Sequence, residues 1–243
     1  MAAGRRTKSV RSHTTRALLL RRTDYGESDL VVALFTEDLG RVGALARGAR
    51  KSQRRFGGAL EPIHTLKVRL DEKSGAELFT LAEASIDRAR TRLTSRLEHM
   101  EAAGRALGWV RKASPPRTIE PEVWRVLSEL LDRLDDPARV PSARVELAEA
   151  GLRLLAAFGW GLELSRCVSC GKPCPHGRAA QIDVERGGLV CRSCGGARVR
   201  LAGASRARLA RAAGGSAGAL EAGDLDVAVE LTDRAFRAHL GFE

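Results

Sequence analysis

Two closely spaced pairs of cysteines constrain this chain more than any other feature. Cys167-x2-Cys170 is followed, after 20 intervening residues, by Cys191-x2-Cys194. Each Cys-x2-Cys turn can offer two thiolates to one tetrahedral ion, and this spacing is typical of a zinc ribbon. The pattern predicts one Zn²⁺ held by Cys167, Cys170, Cys191 and Cys194. Because four protein thiolates leave no open coordination position, such an ion is structural and not catalytic.

Other uses of these sulfur atoms are possible. Two disulfides could form instead, but Arg5–Lys8 shows no apolar signal segment, so we expect a cytoplasmic chain with reduced thiols. Cys174 and His176 are rival metal ligands. Pro173 and Pro175 bracket Cys174 and stiffen the chain around it, which favours a bystander role for both rivals.

Positive charge is concentrated near the N-terminus. The net charge is +11, and residues 1–55 carry 13 Lys/Arg against 5 Asp/Glu, whereas the other 188 residues carry 28 against 25. A concentrated positive field is typical of a protein that binds a polyanion, and nucleic acid is the favoured partner. A solvated basic surface is the alternative. No apolar run approaches the roughly 20 residues of a membrane span, so we expect no membrane partner.

The first third of the chain has the pattern of a small β-barrel. After a basic tail over residues 1–13, five short apolar or alternating segments within residues 14–83 read as strands, and the second and third form a hairpin. Five strands in about 70 residues predict an OB-fold, the five-stranded barrel that binds single-stranded nucleic acid. The predicted strands are 15–20, 30–36, 41–47, 62–70 and 77–81.

The rest of the chain, residues 84–243, has helical periodicity. Apolar residues from Ile86 to Val110 recur at three- and four-residue steps and predict one long helix. Further helices are predicted near 121–134, 142–158, 203–213 and 224–241. The cysteines fall between the predicted helices at 142–158 and 203–213. The predicted fold is therefore α+β: an N-terminal five-stranded OB-fold barrel, then an α-helical domain with a four-Cys zinc ribbon inserted at residues 164–197.

A basic connector after the third predicted strand is the best candidate for a DNA contact. Residues 47–55 hold five cations and small residues that allow a phosphate to approach the backbone. Tyr25 and Phe56 are expected in loops, where their rings could stack on bases, while Phe35 and Phe79 are expected in the core. A solvated loop without a partner is the alternative. The predicted DNA-binding residues are Arg16, Arg22, Tyr25, Arg41, Arg47, Arg50, Lys51, Arg54, Arg55 and Phe56.

Candidate catalytic groups are sparse. Asp24, Glu27 and Asp29 could hold Mg²⁺ in a nuclease, but no histidine stands near them, and Asp29 is better explained as a cap or as a partner of nearby arginines. No phosphate-binding Gly-x4-Gly-Lys-Ser/Thr motif is present. We therefore expect a binding protein and not an enzyme.

The order of these motifs resembles the RecO family of bacterial recombination mediators. Asp24–Asp29, Phe35-Thr36 with Gly40, and the basic segment Ala46–Ser52 are similar to successive motifs of that family. Cys167–Gly171 and the Gly-Gly approach in Gly187–Cys191 are similar to its cysteine motifs. The resemblance spans nearly the whole chain.

The resemblance implies a non-enzymatic activity in the cytoplasm, at the nucleoid. Members of this family bind single- and double-stranded DNA and anneal complementary strands. With RecR, they help to load RecA onto DNA covered by single-stranded-DNA-binding protein (SSB), and their helical domain contacts the C-terminal tail of SSB. An RNA- or transcription-associated protein with an OB-fold and a zinc ribbon is the second interpretation, and a metal-dependent nuclease is the third.

Overall fold

The computed structural model describes residues 10–138 and 142–241. The chain forms two compact units. The first contains the chain up to Thr91 together with Ser114–Trp124, and the second contains Arg92–Ala113 and the chain from Arg125 onward.

Five strands of the first unit close into a barrel. The strand order around the barrel is β1-β2-β3-β5-β4, in which β3 and β5 are parallel and the other pairs are antiparallel. This order confirms the predicted five-stranded OB-fold. The elements are β1 (Val10–Tyr25), β2 (Asp29–Thr36), β3 (Gly40–Ala46), the short helix α1 (Gln53–Phe56), β4 (Thr65–Lys73) and β5 (Phe79–Arg88).

Alternation along the strands explains why the barrel closes. In β3, buried and half-buried residues alternate at every position, so the strand sends Val42, Ala44 and Ala46 into the barrel core. β4 contributes Leu66, Val68 and Leu70 to the same core. Phe35 and Phe79 are both buried, as predicted.

β1 is longer than the sequence predicts. Residues 10–13, assigned to a basic tail, pair with β4 in a register that begins with Val10 opposite Lys73. The tail prediction is wrong for these four residues, because they continue an antiparallel ladder. Residues 1–9 of the predicted tail lie outside the described residues.

The predicted long helix beginning at Ile86 is also wrong at its start. Ile86 lies in β5 opposite Leu66. Beyond β5, the buried guanidinium of Arg90 donates to the carbonyl oxygen of Ile63 and to the hydroxyl of Thr65, which ties the chain to the start of β4. These pairings hold residues 86–90 against the barrel, and the apolar spacing that suggested a helix there was a coincidence.

A segment distant in sequence packs on the β2–β3 side of the barrel. Pro116 forms a bridge with Arg41, whose side chain donates to the carbonyl oxygen of Ser114 at 2.6 Å. A Cβ at Gly40 would lie 1.8 Å from the carbonyl oxygen of Thr118, so only glycine allows this approach. The sequence did not predict that residues 114–124 complete the first unit.

The second unit is mostly helical. Its helical core is formed by apolar faces that meet around α5, which is buried on most of its surface. His99 is buried, and its Nδ1 lies 2.7 Å from the carbonyl oxygen of Leu134. The helices are α2 (Thr91–Thr94), α3 (Leu97–Ala113), α4 (Pro121–Asp135), α5 (Ala143–Ala157), α6 (Gly203–Ala213) and α7 (Leu225–Leu240).

The cysteine module lies between α5 and α6, where the sequence predicts the insertion. It contains a small antiparallel sheet in the order β7-β6-β8, formed by β6 (Ala180–Asp183), β7 (Gly188–Leu189) and β8 (Val199–Leu201). We call residues 163–201 the ribbon. Across the described residues, no helix combines the length and apolar character that a bilayer crossing requires.

Candidate nucleic-acid surface and metal centre

The basic connector is an exposed loop that is attached to the barrel at one end. The backbone N–H of Gly48 donates to Oδ1 of Asp29 at 2.7 Å, and the N–H of Arg50 donates to the carbonyl oxygen of Ser28 at 3.1 Å. The β1–β2 turn therefore holds the start of the loop. All five cations of residues 47–55 are exposed, and we call this segment the basic loop.

The cations of the basic loop differ in what they contact. Arg55 donates to the carbonyl oxygen of Arg47 at 2.7 Å, and Arg50 lies 3.8 Å from Asp24. Within the described part of the chain, no carboxylate lies within 4.0 Å of the charged groups of Arg47, Lys51 or Arg54. Three of the predicted DNA-binding cations are thus exposed and unneutralised.

The other predicted DNA-binding arginines are engaged within the protein. Arg16 donates to Glu37 at 2.7 Å, and Arg22 forms an ion pair with Glu61. Arg41 is half-buried and donates to the carbonyl oxygen of Ser114. The basic loop and these three arginines therefore do not form one uniform set of free charges.

The two candidate stacking residues have different surroundings. Tyr25 is 59% exposed at the end of β1. Phe56 is only 2% exposed and packs in the barrel core, because α1 turns its ring inward. The expectation that Phe56 lies in a loop and offers its ring to a base is wrong for this conformation.

The three carboxylates considered for a nuclease site are used in other contacts. Asp29 accepts from Gly48, as its predicted capping role requires, while Asp24 faces Arg50. In the described ranges, the only group of three or more His, Cys, Asp or Glu residues placed to share a metal is the four cysteines. Asp24, Glu27 and Asp29 are not brought together as metal ligands.

The four predicted ligands converge in the ribbon. The Sγ atoms of Cys167, Cys170, Cys191 and Cys194 all lie within 4.8 Å of one another, and those of Cys170 and Cys191 are 3.7 Å apart. A tetrahedral ion with Zn–S bonds of about 2.3 Å separates its sulfur ligands by about 3.8 Å. The four thiols are therefore positioned to bind one metal ion. All five cysteines are free of disulfides.

Backbone turns bring the thiols together. In the first knuckle the N–H of Gly171 donates to the carbonyl oxygen of Cys167, and in the second the N–H of Cys194 donates to that of Cys191. Between them, Gly188 approaches the neighbouring chain closely, because a Cβ there would lie 2.4 Å from the carbonyl oxygen of Glu163. The Gly-Gly motif before Cys191 thus has a steric cause.

The thiols of the ribbon differ in pKa. The N–H of Cys191 donates to Sγ of Cys167 at 3.4 Å, and this contact is the main cause that lowers the pKa of Cys167 to about 5. Hydrogen bonds to Cys191 and Cys170 raise the pKa of Cys194 to about 12, because another thiolate would crowd negative charge. A divalent cation at the centre would allow all four to ionise.

The rival ligands lie outside this group. Sγ of Cys174 is 4.0 Å from the carbonyl oxygen of Arg178, and the Cys174 N–H donates to the carbonyl oxygen of Ser165. His176 is exposed. Neither belongs to the group of four thiols that lie close enough to share an ion.

Comparison with known proteins identifies the family. Residues 10–90 match the family model described as "Recombination protein O N terminal", and residues 96–243 match "Recombination protein O C terminal". The chain belongs to the RecO family of DNA repair proteins. Among its RecO relatives, the DNA repair protein RecO of Anaeromyxobacter sp. (strain K) is 38% identical over 177 residues, which cover 73% of this chain and 68% of that protein.

Two other RecO relatives show similar identity and coverage. DNA repair protein RecO of Geobacter sulfurreducens is 38% identical over 179 residues, covering 74% of this chain and 71% of the relative. That of Geobacter metallireducens is 36% identical over 186 residues, covering 76% and 74%. The N-terminal RecO match coincides with the barrel, and the C-terminal match contains the helices and the ribbon. The predicted family is confirmed.

Proposed function

We propose that this protein is a non-enzymatic mediator of DNA repair and homologous recombination. It binds single- and double-stranded DNA and anneals complementary strands. With RecR it helps to load RecA onto SSB-coated single-stranded DNA, and its helical part binds the C-terminal tail of SSB. It works in the cytoplasm, at the nucleoid. Membership of the RecO family supports this proposal, since the family models and relatives are named for recombination and DNA repair.

The observation that carries the DNA-binding part is the set of exposed charges on the basic loop. Arg47, Lys51 and Arg54 have no carboxylate within 4.0 Å among the described residues, so their charge is available to phosphates. Each phosphate that a cation neutralises releases condensed counterions, and this gain does not depend on base sequence. A barrel loop of this kind favours binding to any DNA strand.

Annealing follows from the same charges. Two complementary strands repel each other before they pair, and a protein that screens both phosphate chains lowers this repulsion. The loop does so without forming or breaking a covalent bond. We therefore assign Arg47, Arg50, Lys51, Arg54 and Arg55 to the DNA surface, together with Arg16, Arg22 and Arg41 and with Tyr25 as its stacking residue.

The metal in this proposal is one structural Zn²⁺. Cys167, Cys170, Cys191 and Cys194 would hold it, and it would supply folding free energy to the ribbon without a catalytic water. Metal analysis of the purified protein tests this assignment. One zinc per chain is expected for the wild type and loss of zinc for Cys167→Ser with Cys191→Ser, whereas a well-folded wild type without zinc would refute it.

Annealing of complementary strands coated with SSB tests the function as a whole. The wild type should accelerate annealing, and a variant with Arg47, Arg50, Lys51 and Arg54 replaced by alanine should lose most of the acceleration. Radiolabelled DNA with Mg²⁺ should remain uncut. Preference for RNA over DNA of one sequence, or cleavage of the labelled strand, would replace this proposal with the RNA-binding or the nuclease interpretation.

A further inference from the structure

A second concentration of positive charge lies on the ribbon, away from the basic loop in sequence. The ribbon, residues 163–201, contains seven Lys/Arg and three Asp/Glu. Four of these cations line one cavity of about 650 Å³. They are Lys172 in the first knuckle, Arg178 before β6, Arg192 in the second knuckle and Arg200 in β8. We call this set the ribbon cations.

The ribbon cations are available to a ligand. All four are exposed. No carboxylate lines the cavity, and within the ranges that the structure describes none of the four makes an ion pair. Arg166 in the same ribbon differs, because it pairs with Glu163 at 3.3 Å. The cavity thus holds four unneutralised charges supplied by separate segments of the chain.

Apolar side chains line the cavity beside the polar Gln181 and Ser193. Ala180, Leu189 and Val190 line it and are buried. A ligand that fits must therefore combine several negative charges with an exposed apolar face. Single-stranded nucleic acid has this combination, since its phosphates are charged and its base faces are open, whereas a duplex stacks those faces inside.

We propose that the ribbon cavity is a second binding site for single-stranded nucleic acid. Phosphates contact Lys172, Arg178, Arg192 and Arg200, and a base lies against the apolar part of the lining. The proposal rests on the DNA-binding function proposed above and extends it: the basic loop holds one strand while the ribbon holds another. In this mechanism one protein holds both strands during annealing. Screening of phosphate repulsion by the basic loop is then only part of the effect.

The test uses two variants of the full-length, zinc-loaded protein from which the same amount of charge is removed. In the ribbon variant, Lys172, Arg178, Arg192 and Arg200 are replaced by glutamine. In the control, glutamine replaces four exposed cations of the same compact unit that lie outside the cavity, Arg166, Arg198, Arg211 and Arg237. Equal zinc content and melting temperature establish that both variants are folded. A charge-preserving variant, R178K/R192K/R200K, separates the role of charge from loss of fold.

The measurement is capture of a second strand. Protein is bound to immobilised oligo(dT), and a labelled oligo(dT) is then added, so that base pairing cannot contribute. The ribbon variant should bind the first strand like the wild type but lose second-strand capture at least tenfold, while the control and the lysine variant retain it. Each neutralised phosphate contributes about −0.7 to the slope of log K against log salt, so removal of four cations should make that slope for the second strand less negative by about 3.

Other outcomes would overturn this proposal. Equal capture by ribbon variant and wild type would remove the cavity from the DNA surface. The wild type could also capture a labelled oligoglutamate of equal charge. If it binds this peptide as tightly as oligo(dT), the cavity is assigned to acidic peptides. A wild type that binds no first strand would instead refute the proposed function, so the two failures are distinguishable.

Discussion

The backbone N–H of Gly48 donates to the Oδ1 atom of Asp29 across 2.7 Å. This bond joins the first turn of the barrel to the basic loop. It gives a carboxylate in a positively charged region a structural role, and it places the start of the loop at a fixed point beside β2. The cations of the basic loop therefore follow a segment that a hydrogen bond holds in place.

Loss of the Asp29 carboxylate should loosen the loop. Asp29→Ala leaves the Gly48 N–H without its acceptor, and a hydrogen bond to a charged group contributes about 1.5–3 kcal/mol. We expect the free energy of unfolding to fall by roughly 1–2 kcal/mol for this half-buried site. Hydrogen exchange at Gly48 and Arg50 should accelerate. Glu27→Ala, which removes an exposed carboxylate of the same turn, is the matched control and should change neither quantity.

Of the two expected stacking residues, Phe56 should affect stability and Tyr25 should affect DNA binding. Phe56→Ala empties part of the barrel core and should reduce the free energy of unfolding by about 3–5 kcal/mol. Tyr25→Ala should leave stability within about 0.5 kcal/mol, because the ring is exposed, but should weaken binding of single-stranded DNA by about 1–3 kcal/mol. Urea unfolding and fluorescence anisotropy measure the two effects. A stable Phe56→Ala protein would contradict the burial.

Adjacent glycines in the ribbon should respond unequally to alanine. Gly188→Ala places a methyl group 2.4 Å from the carbonyl oxygen of Glu163, so β7 must shift and zinc retention should fall. Gly187→Ala meets no atom within 4 Å and is strained only by its φ of +82°, which costs about 1–2 kcal/mol. Competition with a chelator gives the zinc affinity of each. Equal affinities for the two variants would contradict the steric argument.

A buried ion pair should make stability depend on acid pH. Asp224 is fully buried, and its hydrogen bonds with the Arg208 guanidinium, the first cause, lower its pKa from 3.8 to about 2. A lowered pKa contributes stability above the unfolded value near pH 4, and the contribution is lost as the pH falls through about 2. The shift corresponds to about 2 kcal/mol.

The Asp224→Asn variant isolates this effect. It should be less stable than the wild type by a constant amount from pH 7 to about 5, and this difference should shrink by about 2 kcal/mol toward pH 2. Zinc release at low pH affects both proteins and cancels in the comparison. A difference that stays constant down to pH 2 would show that Asp224 does not ionise with a lowered pKa.

Local patterns in the sequence predicted most of the fold. The cysteine spacing located the metal centre because two short turns bring four thiols together regardless of the surrounding chain. Short apolar or alternating segments identified the five strands, and helical periodicity identified α4 to α7. Each of these signals is local, and residues close in sequence are sufficient to detect it.

The errors arose where distant residues determine the structure. Ile86 has helical spacing with the apolar residues that follow it, but it pairs with β4, and Arg90 donates to Thr65 at the start of the same strand. Phe56 follows a loop-like sequence, yet the barrel core buries it. Packing of residues 114–124 against β3 left no local signal. The ribbon cations were not noticed because residues 56–243 as a whole have a net charge close to zero. Pairing partners and cavities become visible only once the chain is folded.

The salt dependence of DNA binding shows whether the basic loop contacts phosphates. Binding of oligo(dT) is measured between 50 and 200 mM salt for the wild type and for the variant with Arg47, Arg50, Lys51 and Arg54 replaced by alanine. If the basic loop contacts phosphates, the negative slope of log K against log salt should be shallower in the variant by about 3, at about 0.7 for each phosphate that is no longer neutralised. Equal slopes for the two proteins would contradict the account.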